Sequence, residues 1–141
     1  MIDKIKNSLQ QVGEIINHQT SNFSESAKEK GYKLIEDWIN ALPTFEKLGL
    51  SVNSFGLGAS ISPSLEVELI GTHTDFSEER LNEILESADI AGPVNLVLTT
   101  IRTTYRLHKK SGCSIKEPLI VKILVKISPE IKVYLGIPEV V

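Results

Sequence analysis

The sequence predicts an α+β protein: two layers, with a four-stranded, largely antiparallel sheet built from two β-hairpins and helices packed on one face. Three observations predict it. Two stretches alternate apolar and polar residues with period two, each interrupted by a Ser-Pro step. Stretches with helical spacing precede both. The segment Ile61-Ser62-Pro63-Ser64-Leu65-Glu66-Val67-Glu68-Leu69 also recurs as Ile127-Ser128-Pro129-Glu130-Ile131-Lys132-Val133-Tyr134-Leu135, which leaves open an internal α-β-β duplication.

In chain order, Ile2, Ile5, Leu9, Val12 and Ile16 advance by alternating steps of three and four, the narrow stripe of an amphipathic helix. Residues 1–20 are therefore expected to form an N-terminal amphipathic helix, and residues 21–141 a single α+β domain with half-repeats at about 25–71 and 77–137. Asn22 and Glu25 have the spacing of a capping box. From Glu25 to Leu42 the residues Ala27, Leu34, Ile35, Trp38, Ile39 and Leu42 form a wider apolar face. Pro43 is expected to end or kink this helix, Thr44 to Leu48 to add one more turn, and Gly49 to cap it in the left-handed conformation.

Phe55, Leu57, Ala59 and Ile61 then alternate with Gly56, Gly58 and Ser60, and Leu65, Val67 and Leu69 with Glu66 and Glu68. Ser62-Pro63-Ser64 supplies the turn of a first hairpin. Asp75 or Ser77 is placed to cap a helix reaching Asp89, with Phe76, Leu81, Ile84, Leu85 and Ala88 inward and the early acids favoured by the helix dipole. Gly92-Pro93 breaks the chain. Val94, Val97, Leu98, Ile101, Tyr105 and His108 follow helical spacing, but the threonines at 99, 100, 103 and 104 with β-branched Val94 and Val97 argue for strand, so both readings stand. Leu119 to Ile127 and Ile131 to Ile137 form a second hairpin, joined at Ser128-Pro129-Glu130.

The recurrence has five identities in nine positions, close to what chance supplies in a chain of this length. Phase agreement is the stronger support. Shifted by the same 66 positions (127 minus 61), Phe55, Leu57 and Ala59 fall on Val121, Ile123 and Val125.

With 141 residues, 41% hydrophobic and 23% charged, the chain can bury a real core without staples. Its one cysteine, Cys113, cannot close an internal bridge and fits a reducing, cytoplasmic setting. A net charge of -3 argues against nucleic acid. No run is apolar enough for a transmembrane segment, since Lys122 and Lys126 cut the greasiest stretch, Pro118 to Ile127.

No constellation of residues points to a catalytic centre, a metal or a cofactor. His73-Thr74-Asp75 reads as loop and cap chemistry, while His18, His108 and Cys113 stand apart. Arg102, Arg106, Lys109 and Lys110 near a helix end are an anion-binding candidate, although dipole compensation explains them more simply. Gly56-Leu57-Gly58 lies within a strand pattern and does not form a phosphate loop.

The function expected is a non-enzymatic protein-protein interaction or assembly module, a homo-oligomer or a binder of another protein. Its contact surfaces would be the stripe Ile2, Ile5, Leu9, Val12 and Ile16 and the open sheet face around Ile120, Leu124 and Tyr134. Peripheral membrane contact through residues 1–16 is disfavoured, because the polar side of that stripe is mainly Asn and Gln. The alternative is a carrier of a small hydrophobic ligand or lipid, with a pocket between helices and sheet lined by Trp38, Ile39, Phe55, Leu57, Tyr105 and Val121.

Overall fold

The computed structural model describes residues 25–59, 62–87 and 92–138. Helix α1 (Glu25–Leu48) is continuous through Pro43, which lies exposed on its outer side. Ile35, Trp38, Ala41 and Phe45 are all buried and carry one packing stripe past the proline, so burial offsets the missing backbone donor. The helix closes on Gly49, at φ +110°, with Gly49 N–H donating to Glu46 O and Leu50 N–H to Phe45 O. This is a Schellman cap, and the fully buried Leu50 supplies its usual apolar contact.

Strands β1 (Ser51–Gly58) and β2 (Ser64–Gly71) form the first hairpin. The register slips between Val52 and Ser54, so Asn53 is an extra residue in β1. Val52 and Phe55, three apart, can both face the helices only because of that bulge. The irregularity therefore falls on Asn53 rather than on the glycines. A 3-10 turn (His73–Phe76) leads to α2 (Glu78–Glu86), whose N-cap is Ser77, its hydroxyl accepting from Arg80 N–H at 3.2 Å. Asp75 takes a different part and accepts from the Thr72 hydroxyl at 3.1 Å.

Helix α3 (Gly92–Ser111) decides the open choice between helix and strand. The hydroxyls of Thr100 and Thr104 donate to the carbonyls four residues back, Leu96 O and Thr100 O, at 2.8 Å each. Val94, Val97, Leu98 and Ile101 are buried, and this packing outweighs the β-branched preference. Strands β3 (Leu119–Val125) and β4 (Glu130–Leu135) complete the chain.

The four strands lie in the order β1-β2-β3-β4, every neighbour antiparallel, as an open sheet under the helical layer. This is the two-layer α+β fold. Leu65, Val67 and Leu69 of β2 and Leu119, Val121, Ile123 and Val125 of β3 face the helices and are almost wholly buried, forming the core with Trp38, Phe45, Phe76 and Ile101. The two hairpins share one register. Phe55 opposite Val67 and Leu57 opposite Leu65 become, 66 positions on (121 minus 55), Val121 opposite Val133 and Ile123 opposite Ile131. No helix among the described residues is long and apolar enough to cross a membrane. The N-terminal stripe, the Asn22 cap, Ile61 and the end of the α2 pattern at Ala88 and Asp89 lie outside the described residues.

Candidate functional site

Three surfaces merit separate description. The first is the sheet face turned away from the helices. There Ile70, Ile120 and Tyr134 stand side by side across β2, β3 and β4. Ile120 is only 4% exposed between its neighbours, while Leu124 and Tyr134 are half-buried, so this part of the face offers little free apolar area. Glu68 lies opposite Lys122, and Lys122 opposite Lys132. Yet Lys122 sits 5.3 Å over the Tyr134 ring, Glu68 accepts from Asn53 Nδ2 at 3.3 Å, and Lys132 pairs with Glu130 of its own strand at 3.4 Å. The acids of the first hairpin and the lysines of the second thus form no ion pair with one another. A shallow cleft of about 290 Å³ lies among them.

The second surface is at the β1 end of the sheet. Phe55 and Leu57 face the helix side, in register with the buried Val67 and Leu65, but are 54% and 42% exposed. Helix α1 packs across β1, β2 and β3, yet Phe55 and Leu57 stay exposed. Across Ser51–Gly58 there is no charged residue, whereas the other edge, β4, carries Glu130 and Lys132.

The third is a cleft of about 250 Å³ beside the 3-10 turn, walled by the start of α2, the last turns of α3 and Ile115. His73 organises it. Its Nε2 lies 2.5 Å from Lys116 O, which can only accept, so in the neutral ring Nε2 carries the proton and Nδ1 accepts from the Tyr105 hydroxyl at 2.7 Å. The two rings meet edge to face at 5.5 Å. Glu117 accepts the backbone N–H of His73 at 3.1 and 3.3 Å, tying the turn to the loop before β3. Burial, with a smaller push from the Glu117 carboxylate, raises the Tyr105 phenol well above its ordinary pKa. Arg106 pairs with Glu78 at 2.9 Å, and Arg102 Nη1 donates to Asn82 Oδ1 at 2.9 Å.

Comparison of the chain with known proteins adds no relative to this description. No family model, no characterised protein and no solved structure matches it.

The residues proposed from the sequence for a ligand pocket are thus distributed over separate places. Trp38 and Val121 are core, Phe55 and Leu57 are exposed at the β1 edge, and Tyr105 lines the His73 cleft. The His73–Tyr105 bond joins residues 32 apart and carries no local sequence signal. Arg102, Arg106 and Lys109, at steps of four and three along α3, were visible as a basic cluster, and they share a cleft wall. Cys113 is exposed and its N–H donates to the Ser111 hydroxyl. No group of three His, Cys, Asp or Glu side chains is placed to hold a metal among the described residues.

Proposed function

We propose that this protein is a non-enzymatic interaction module that self-associates through the β1 end of its sheet. The observation that carries the reading is an uncharged edge strand with Phe55 and Leu57 exposed at 54% and 42%. Soluble proteins ordinarily guard such an edge with charge, proline or a covering element. The bulge at Asn53 falls in its first half, and from Ser54 to Gly58 the outer side pairs with no strand among the described residues.

A second copy is the occupant that fits. Antiparallel pairing of β1 with β1 about a two-fold axis continues the sheet and sets Phe55 and Leu57 of each chain against those of the other. The small outward residues Ser54, Gly56 and Gly58 add no bulk on the other face. The module works in solution in a reducing compartment, the cytoplasm, where the exposed Cys113 stays a thiol.

Sedimentation of three chains tests this: the full chain, Phe55→Glu/Leu57→Glu, and a chain lacking residues 1–20. The reading expects a dimer, a monomer that unfolds at nearly the same denaturant concentration, and a dimer again. A monomeric full chain overturns it. So does a dimer that survives the double substitution, or one lost with residues 1–20, because either would place the contact elsewhere.

A further inference from the structure

The cleft beside His73 holds a charge that the fold leaves uncompensated. Of the three cations on its α3 wall, Arg106 is neutralised by Glu78, and Lys109 is exposed to solvent. Arg102 is different. It is half-buried, the neutral Asn82 is the one partner of its guanidinium, and its buried Nε has none among the described residues. A guanidinium withdrawn from water without a counter-ion costs stability unless an anion completes it.

Besides these cations, Glu78, His73 and Ser77, the lining is apolar or aromatic. Phe76 and Leu81 form the floor, the Tyr105 ring is held in place by His73, and Ile115 stands 48% exposed on the rim. Such a site suits an anion with a greasy body better than a bare inorganic ion, which would gain nothing from these contacts. At the ~30 Å³ that a water occupies in the liquid, the cleft of about 250 Å³ has room for roughly eight non-hydrogen atoms.

We propose that this cleft binds a small organic monoanion about the size of benzoate, its carboxylate on Arg102 Nη2, which Asn82 does not hold, and its apolar body against Tyr105 and Ile115. Planar two-oxygen acceptors match a guanidinium, and the exposed Lys109, which has no ion-pair partner among the described residues, favours approach of negative charge. The site lies on α3 and the 3-10 turn, away from β1, so it stands whether or not the chain self-associates.

The test is titration of the isotopically labelled full chain with benzoate, benzamide and inorganic phosphate, followed by amide chemical shifts. Benzoate should shift the amides of residues 73–77, 102–109 and 115 saturably, and benzamide, its neutral isostere, should bind at least about tenfold more weakly. Phosphate should not compete with benzoate. Arg102→Gln should weaken benzoate by about tenfold or more and Ile115→Glu by several-fold, the latter through charge on a rim residue outside the core. The proposal is overturned by any of four results: no saturable shift with benzoate, benzamide binding within roughly threefold of benzoate, phosphate displacing benzoate as a simple ion would, or Ile115→Glu leaving the affinity unchanged. Ile115→Glu decides the matter alone if Arg102→Gln fails to fold.

Discussion

Two tyrosine hydroxyls are buried in the helical layer, and their surroundings make opposite demands. Tyr105 donates to His73 Nδ1, whereas the Tyr32 hydroxyl has no partner among the described residues. Tyr105→Phe should therefore cost about 1 kcal/mol by orphaning a ring nitrogen, while Tyr32→Phe should be neutral or stabilising by up to ~1 kcal/mol. Denaturant midpoints of the two variants check the contrast, and equal losses would refute it. The same residue sets an alkaline limit. Burial first and Glu117 second hold the Tyr105 phenol protonated in the folded chain above its ordinary value of 10.0. The folded state then binds a proton that the unfolded state has released, so this contribution is complete below pH 10.0 and is lost as pH rises beyond it. Unfolding midpoints should fall above pH 10 in the native chain and fall less steeply in Tyr105→Phe. None of this was legible from the sequence. His73 is read there as turn chemistry and Tyr105 as a pocket wall, because pairing between residues so distant in sequence has no periodic signature.

Helices and strands were legible wherever periodicity and capping agreed, and less so where one residue had to be overruled by packing. The alternation of Leu65, Val67 and Leu69 and of Leu119 to Val125 fixed the inner face of the central strands, and Gly49 and Ser77 marked helix ends through their own chemistry. Pro43 and the α3 threonines were ambiguous, since the burial of Phe45 and Ile101 that overrules them is a tertiary fact. The bulge at Asn53 was invisible, because its purpose is to bring Val52 into phase with Phe55 on a face that only the folded sheet defines. A prediction follows for α1. Pro43 is exposed within the helix, so Pro43→Ala restores a donor and should raise the unfolding free energy by about 1 kcal/mol after the greater freedom of the unfolded chain is allowed for. Unchanged or lower stability would mean that the proline shapes the packing of Phe45. At the junction of α1 and α2, Arg80 donates Nη2 to Leu48 O at 2.9 Å and Nη1 to Asp75 O. Its cation therefore lies at the C-terminal end of α1, where the dipole favours it, and its guanidinium is 5.6 Å from the Phe76 ring centre. Arg80→Met should cost about 1–2 kcal/mol in an unfolding titration, and a loss too small to measure would show that water caps Leu48 equally well.

The whole sheet is asymmetric in a way that its two matched hairpins conceal. Register is shared from Ser54 to Gly58 and from Ile120 to Leu124, yet β3 is paired on both sides and covered, while β1 has one neighbour among the described residues and exposed side chains. Opening of the sheet should therefore begin at β1, because an edge strand with little buried apolar area is held mainly by one ladder of hydrogen bonds. Hydrogen exchange tests this and the proposed association together. In dilute protein, the amides of β1 should exchange at least about tenfold faster than those of Val67 and Ile123 on the central strands, whose opening approaches global unfolding. Raising the protein concentration should slow β1 and leave the central strands unchanged, since pairing two β1 edges protects only the paired edge and grows with mass action. If β1 is protected independently of concentration, something within one chain covers it and the self-association reading fails. If β4, with Glu130 and Lys132, gains the concentration-dependent protection instead, the contact lies at the opposite edge and the argument from uncharged edges is wrong.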